Sequence, residues 1–316
     1  MRPSARIFLI WAALLLPLTG CLLRTHKVER RLWEGPLKTA SLEELVAKIN
    51  DEAARIHTLN ATVDIATSVG GEKKGKVTEY QEIRGYILLR KPRELRMIGL
   101  FPVLRNRAFD MVSDGDHFRL SVPTRNKFFI GSGEVVRPSK NSLENLRPRH
   151  ILDAILVKEI DPADEIAVLE NGSENVHDTK TNREMTQPNY IVDVVKRGAG
   201  GAWFLSRKIF ISRVNLQPLR QILYDPLGAV AILATYDNFS DYNGTEFPSV
   251  IQVDRPQEEY SIQIGIVKLK LNDALRDEQF VLNRPEGSQL VDVDKPPEAA
   301  ESQPNQAKGG RRQERP

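Results

Sequence analysis

The chain has 316 residues, 41% of them hydrophobic and 28% charged, with a net charge of +3. That apolar share supports a sizeable core, while the small charge argues against a dedicated nucleic-acid binder. A single cysteine excludes an internal disulfide.

The first twenty residues fall into three zones. Arg2 and Arg6 are basic, Ile7 to Leu16 is almost wholly apolar, and Leu18-Thr19-Gly20 places small residues before Cys21. This order is that of a secretory signal, and the apolar run is too short for a spanning helix of about 20 residues. Leu18 to Cys21 resembles the lipobox of bacterial lipoproteins. The resemblance implies cleavage before Cys21, diacylglycerol on its sulfur, an N-acyl chain such as palmitate on its new amino group, and no other cofactor. Several acyl chains on one residue give a lasting anchor, whereas one is marginal. By resemblance to the sorting rule of diderm bacteria, Leu22 rather than aspartate implies the periplasmic face of the outer membrane over the inner membrane.

Cleavage leaves about 296 residues. Residues 21–40 are expected to form a lipidated tether. The mixed, Pro- and charge-rich stretch 284–316 is expected to be disordered, because it has too little apolar surface to offset ordering entropy. The folded domain is therefore expected over 41–283.

Ser41 and Glu44 make a capping-box signature, followed by Leu42, Leu45, Val46, Ile49, Ala53 and Ile56 at helical spacing. Alternating strands follow from Leu59 to Val69, Glu79 to Arg90, Leu95 onward, Ala108 to Ser113, Phe118 to Val122 and through Phe128 and Ile130. Lys91-Pro92 and Asp114-Gly115 are turns. Pro148 opens a short apolar helix containing Ile151, Leu152 and Ile155. Seven further strands run from Ile166 to Leu271. About a dozen strands joined by tight turns predict a mainly β, α+β fold, whose long antiparallel sheet curls and offers a concave face to two helices.

Several sequence features carry this pattern in order: Gly85 to Arg96, Asp114-Gly115, Asn126-Lys127 leading to Gly131, Tyr224-Asp225-Pro226-Leu227-Gly228, and Gly244-Thr245-Glu246-Phe247-Pro248. Together they resemble the LolA/LolB-like lipoprotein-localisation family over most of 41–285. The resemblance implies an unclosed β-barrel with a helical lid that binds lipid or lipoprotein acyl chains at the outer membrane. Its partners would be membrane lipid, lipoprotein acyl chains or a periplasmic carrier, and the chain is expected to be a monomer. The lining on one face of alternation is Ile87, Leu89, Met97, Phe109 and Met111, with Ile151, Leu152 and Ile155 on the lid. A protruding loop of the family's receptor matches Gly99 to Leu104, where Leu100, Phe101 and Leu104 either meet membrane or cargo, with Arg105 and Arg107 beside them, or fold into the core. The competing class is an assembly lipoprotein that binds an envelope protein and has a filled core.

No catalytic or metal pattern emerges, and no enzyme is expected. Gly70-Gly71-Glu72-Lys73-Lys74-Gly75-Lys76 approaches a phosphate loop, but Val77 stands where Ser or Thr is required and a strand pattern follows. The five histidines, His26, His57, His117, His150 and His177, have no metal spacing. No Gly-x-Ser-x-Gly elbow is present.

Overall fold

The computed structural model describes residues 32–133, 147–178, 183–198 and 200–295. The segment 1–20 read as a signal, with Cys21 and Leu22, lies outside the described residues, as do residues 296–316. The chain divides into two units.

The smaller unit comprises Met1–Pro36 and Ser173–Pro188. Within it Leu32 forms a parallel bridge to Thr186, and Trp33 N donates to Thr186 O at 3.1 Å. Thr186 Oγ1 donates to Asn175 Oδ1 at 3.0 Å.

The larger unit, Leu37–Gly172 and Asn189–Pro316, carries two α-helices and nearly all of the sheet. Helix α1 (Leu42–Ala54) begins at a complete capping box, with Ser41 Oγ accepting from Glu44 N and Glu44 Oε2 accepting from Ser41 N. Helix α2 (Pro148–Ile155) starts on Pro148, whose missing N–H is no loss in a first turn. It stops at Leu156, which is extended.

The strands are β1 (Thr58–Gly71), β2 (Lys76–Glu79), β3 (Ile83–Arg90), β4 (Glu94–Leu100), β5 (Arg107–Ser113), β6 (His117–Val122), β7 (Lys127–Ser132) and β8 (Glu165–Asp178). They continue as β9 (Arg183–Arg197), β10 (Trp203–Ser212), β11 (Pro218–Tyr224), β12 (Val230–Tyr242), β13 (Thr245–Arg255), β14 (Tyr260–Leu271) and β15 (Gln289–Asp292). Their order is β15-β7-β6-β5-β4-β3-β1-β14-β13-β12-β11-β10-β9-β8, with β2 paired to β1. Among the described residues the end strands β15 and β8 do not pair with each other, so this curved sheet, antiparallel except for the β15–β7 pair, is not closed into a barrel.

Two findings depart from the sequence reading. Residues 284–295, expected to be disordered, are placed: β15 pairs in parallel with β7, and Val293 N donates to Ile130 O at 3.0 Å. The segment has little apolar surface, but the edge of β7 offers backbone partners and Val291 and Val293 reach the main core. The ordered domain also begins before Ser41, since Lys38 N donates to Arg213 O at 2.7 Å and Ala40 N to Tyr190 Oη at 3.2 Å. Strand β2 escaped detection because all four of its residues are exposed and give no burial alternation.

Two apolar clusters underlie the helices. Leu45 and Ile49 of α1 pack with Val192 and Val194 of β9 and Ile209 and Ile211 of β10. Ile151, Leu152 and Ile155 of α2 belong to a larger cluster drawn from β1, β3 to β7 and β12 to β14. The helices therefore cover separate stretches of the sheet rather than one shared core.

A candidate apolar half-barrel site

The expected lining forms one row across the sheet. Ala61 of β1 faces Ile87, Ile87 faces Met97, Met97 faces Met111, Met111 faces Leu120, and Leu120 faces Phe129. Because strand side chains alternate between faces, in-register partners point the same way. All six are buried, as is Leu89 one step along the same face. Phe109 is half-buried and packs against this cluster. Gly99 makes room for it, since a Cβ there would lie 2.4 Å from the Phe109 ring.

Helix α2 lies over this row, packed on β4, β5, β12 and β13. Burying Ile151, Leu152 and Ile155 contributes about 1.5–3 kcal/mol each. Two buried side chains fasten its C-terminal end. Tyr236 Oη of β12 donates to Ala154 O at 2.7 Å, and Gln221 Nε2 of β11 donates to Asp153 O at 2.8 Å. Gln221 Nε2 also donates to Tyr236 Oη. Burial raises the Tyr236 pKa well above the usual phenol value, so its hydroxyl remains a donor. Neither residue stood out in the sequence. The available signal was a glutamine at the buried position of β11 and a tyrosine continuing the apolar row Ile232, Ala234 on β12.

The interior beneath α2 is occupied by the protein's own side chains. A remaining cleft between α1, the exit of α2 and the β12–β13 end measures about 70 Å³, and is lined by Leu45, Ile49, Ile155, Tyr236 and Phe247 among others. Ligand pockets typically measure roughly 300–1,000 Å³. The cleft as it stands is well below that range.

The loop between β4 and β5 projects outward. Val103 is 90% exposed and Leu104 76%, while Phe101 is 38% exposed and Leu100 half-buried at the strand end. The tip is thus Val103-Leu104, and Leu104 does not fold back into the core. A register shift at Gly99/Leu100 bends the strand as it enters the loop. Phe101 N donates to Asn106 O at 2.9 Å, and Arg105 N to Phe101 O at 3.1 Å, which closes the loop on itself. At its foot Arg107 Nη1 lies 3.0 Å from Asp110 Oδ2. Asp110 is buried and takes two bonds from Arg96, at 3.0 and 2.8 Å. This pair anchors the base of the loop.

The near phosphate loop is the β1–β2 turn, with a strand and no helix after it. His150 sits on α2 with Nδ1 buried and lacking a hydrogen-bond partner. Among the described residues no group of His, Cys, Asp and Glu is arranged to hold a metal ion, and no helix is long and apolar enough to cross a membrane.

The fold and its covered face define a class: an open antiparallel half-barrel whose concave apolar surface is roofed by short helices. No protein-family profile and no curated protein matches the chain. Among solved structures it is similar to a LolA superfamily protein from Nitrosomonas europaea, at 14% identity over 75% of this chain and 97% of that one, with a TM-score of 0.45. It is likewise similar to a DUF1329 family protein from Desulfovibrio piger, at 15% identity over 75% and 94%, with a TM-score of 0.47. A third is an outer membrane lipoprotein-sorting protein domain from Vibrio parahaemolyticus, at 12% identity over 74% and 94%, with a TM-score of 0.42. The likeness is one of fold.

Proposed function

We propose that this protein is a lipid-anchored, non-catalytic envelope protein that takes a lipid or lipoprotein acyl chain onto the concave face of its half-barrel and exchanges it with a membrane. The observation that carries this reading is the coincidence of a covered apolar row with an exposed apolar loop on the same pair of strands. Met97 and Met111 line the interior on β4 and β5, and the loop joining those strands presents Val103 and Leu104 to solvent. Exposed apolar side chains flanked by Arg105 and Arg107 suit an anionic membrane surface. Each acyl methylene buried is worth about 0.8 kcal/mol, so a partly inserted chain gains several kcal/mol toward displacing α2.

The anchor would be the acylated Cys21, and Leu22 would direct the protein to the outer membrane. Metabolic labelling with palmitate tests this arm. Label should enter the parent protein and be lost with Cys21→Ala; label persisting in that variant removes the anchor from the account. Uptake of a fluorescent fatty acid tests the other arm. Leu152→Asp should weaken it in folded protein, and unchanged uptake would exclude α2 as the cover.

One observation favours the alternative, an assembly lipoprotein that binds an envelope protein. The interior is filled and the residual cleft holds about 70 Å³. On that reading α2 never lifts, and no lipid is taken up.

A further inference from the structure

The two ends of the sheet differ in what their turns expose. Leu100 pairs with Arg84 at the start of β3, Ile83 pairs with Ile65 of β1, and Val69 further along β1 pairs with Tyr260 at the start of β14. The β4–β5 loop, the β1–β2 turn and the β13–β14 turn therefore share one end. The β11–β12 turn joins them, since Leu233 pairs with Asp254 and Tyr224 with Val230. At this end Leu227 is 94% exposed, barer even than Val103 and Leu104. Among the described residues, the β3–β4, β5–β6, β10–β11 and β12–β13 turns at the other end expose no large apolar side chain. Single exposed apolar residues are ordinary, but their confinement to the turns of one end is not.

Three of these turns are joined into one surface. Lys73 N donates to Glu259 Oε1 at 2.5 Å and Lys73 Nζ to Gln257 O at 3.0 Å, which ties the β1–β2 turn to the β13–β14 turn. Gln257 Nε2 donates to Asp225 Oδ2 at 3.0 Å and to Val230 O at 3.3 Å, which ties that turn to β11–β12. Asp225 Oδ1 also accepts from Leu227 N and Ala229 N at 2.9 and 3.0 Å, fixing the turn that presents Leu227. The acids here are thus engaged in holding turns together, and Glu258 is paired with the buried Arg255. On the β1–β2 hairpin Lys73, Lys74 and Lys76 stand exposed against Glu72. Arg105 and Arg107 are likewise exposed beside Val103 and Leu104. Each apolar tip therefore has cations near it. Five strand spacings separate β4 from β12, about 24 Å along the sheet, so the loop and the turn cluster are separate points of contact.

We propose that this end of the half-barrel docks on an anionic bilayer at two points, the Val103-Leu104 loop and the Leu227 turn with the β1–β2 lysines. The proposal deepens the membrane-exchange reading above and rests on it for the loop; the second point stands on different turns. A bilayer suits this surface better than a protein partner does. The apolar side chains stand on separated tips with polar residues such as Gln257 and Glu259 between them, so they offer no continuous apolar floor. Tips of this kind enter the interface one or two side chains at a time, while lysine and arginine reach the headgroups. Two points also set the orientation, with the sheet standing end-on to the membrane.

The test uses residues 21–316 with Cys21→Ala, which removes the proposed acylation point and the chain's only cysteine. Leu227→Cys, Leu104→Cys and, at the other end, Asp116→Cys each then carry one environment-sensitive fluorophore; all three positions are exposed. With phosphatidylcholine vesicles containing phosphatidylglycerol, emission should rise at 227 and 104 and stay flat at 116. Lys73→Glu with Lys76→Glu should weaken that binding roughly tenfold. A rise at 104 with none at 227 would overturn the second point and leave the membrane-exchange reading standing. A rise at 116 as well, or an equal rise with pure phosphatidylcholine that ignores the lysine reversals, would overturn end-on docking to an anionic surface. No response at any site, with a fluorescent fatty acid still taken up, would overturn the bilayer as the occupant and leave acyl binding intact; loss of both would sink the membrane-exchange reading itself.

Discussion

If α2 is a cover that must lift, loosening its fastening should improve ligand uptake. Tyr236→Phe removes one hydroxyl and nothing else from a fully packed site. It deletes the 2.7 Å bond to Ala154 O and the acceptor that Gln221 uses. A buried hydrogen bond contributes about 1 kcal/mol net, and an orphaned acceptor costs about 1–3 kcal/mol more. A shift of about 2 kcal/mol toward the lifted state follows, roughly a thirtyfold change in its population. Apparent affinity scales with the binding-competent fraction, so affinity for a fluorescent fatty acid should rise by up to that factor while the lifted state remains in the minority. Two assays read this together: fatty-acid titration, and hydrogen exchange of the α2 amides. Faster exchange in α2 with unchanged affinity would refute the reasoning, because the helix would then open without admitting ligand. Weaker binding would refute it more strongly, making Tyr236 a ligand contact rather than a fastener.

Other outcomes follow from the same geometry. Val103→Asp with Leu104→Asp should cut co-sedimentation with anionic vesicles at least tenfold and leave the melting temperature nearly unchanged, since both side chains are in solvent; unaltered sedimentation would remove the loop from the membrane contact. Asp110→Asn should lower stability by about 3 kcal/mol in urea titrations, because Arg96 would keep its partly buried charge without the matching one; a loss under 1 kcal/mol would show that the pair is not structural. His150 is neutral in the fold and its unfolded pKa is 6.5, so the unfolded chain binds the extra proton between pH 6.5 and about 3. Its contribution is complete above pH 6.5 and falls by up to about 1.4 kcal/mol per pH unit as the solution is acidified through that window. His150→Gln should flatten that part of the stability profile, and an identical slope would place the acid sensitivity elsewhere.

The alternation of small numbers of residues made most of the sheet legible. Period-two spacing puts Ile87, Leu89, Met97 and Met111 on one face, and Ile87, Met97 and Met111 lie in register; β3 and β4 bury only that face, whereas β5 buries both. Helix α1 was legible from its capping box. The parts that stayed hidden lack periodic burial. Strand β2 is exposed throughout, and β15 is held by backbone bonds to an edge, which no side-chain pattern announces. Gln221 and Tyr236 matter because two distant strands bring them to the end of α2, a meeting that depends on topology. Arg255 had a readable trace, a charged residue where the row Ile251, Val253 called for another apolar one, but its burial required the third dimension. The loop showed the reverse limit: its composition marked Leu100, Phe101 and Leu104 as unusual, yet only the structure shows that the tip is Val103-Leu104.

The central claim is that the filled interior opens to hold an acyl chain. Native mass spectrometry of the gently purified protein lacking its own anchor, through Cys21→Ala, tests it most directly. The account predicts a second population heavier by the mass of one lipid, which Leu152→Asp depletes. A single apo mass, unchanged after incubation with excess lipid, would contradict it and leave the protein-binding scaffold.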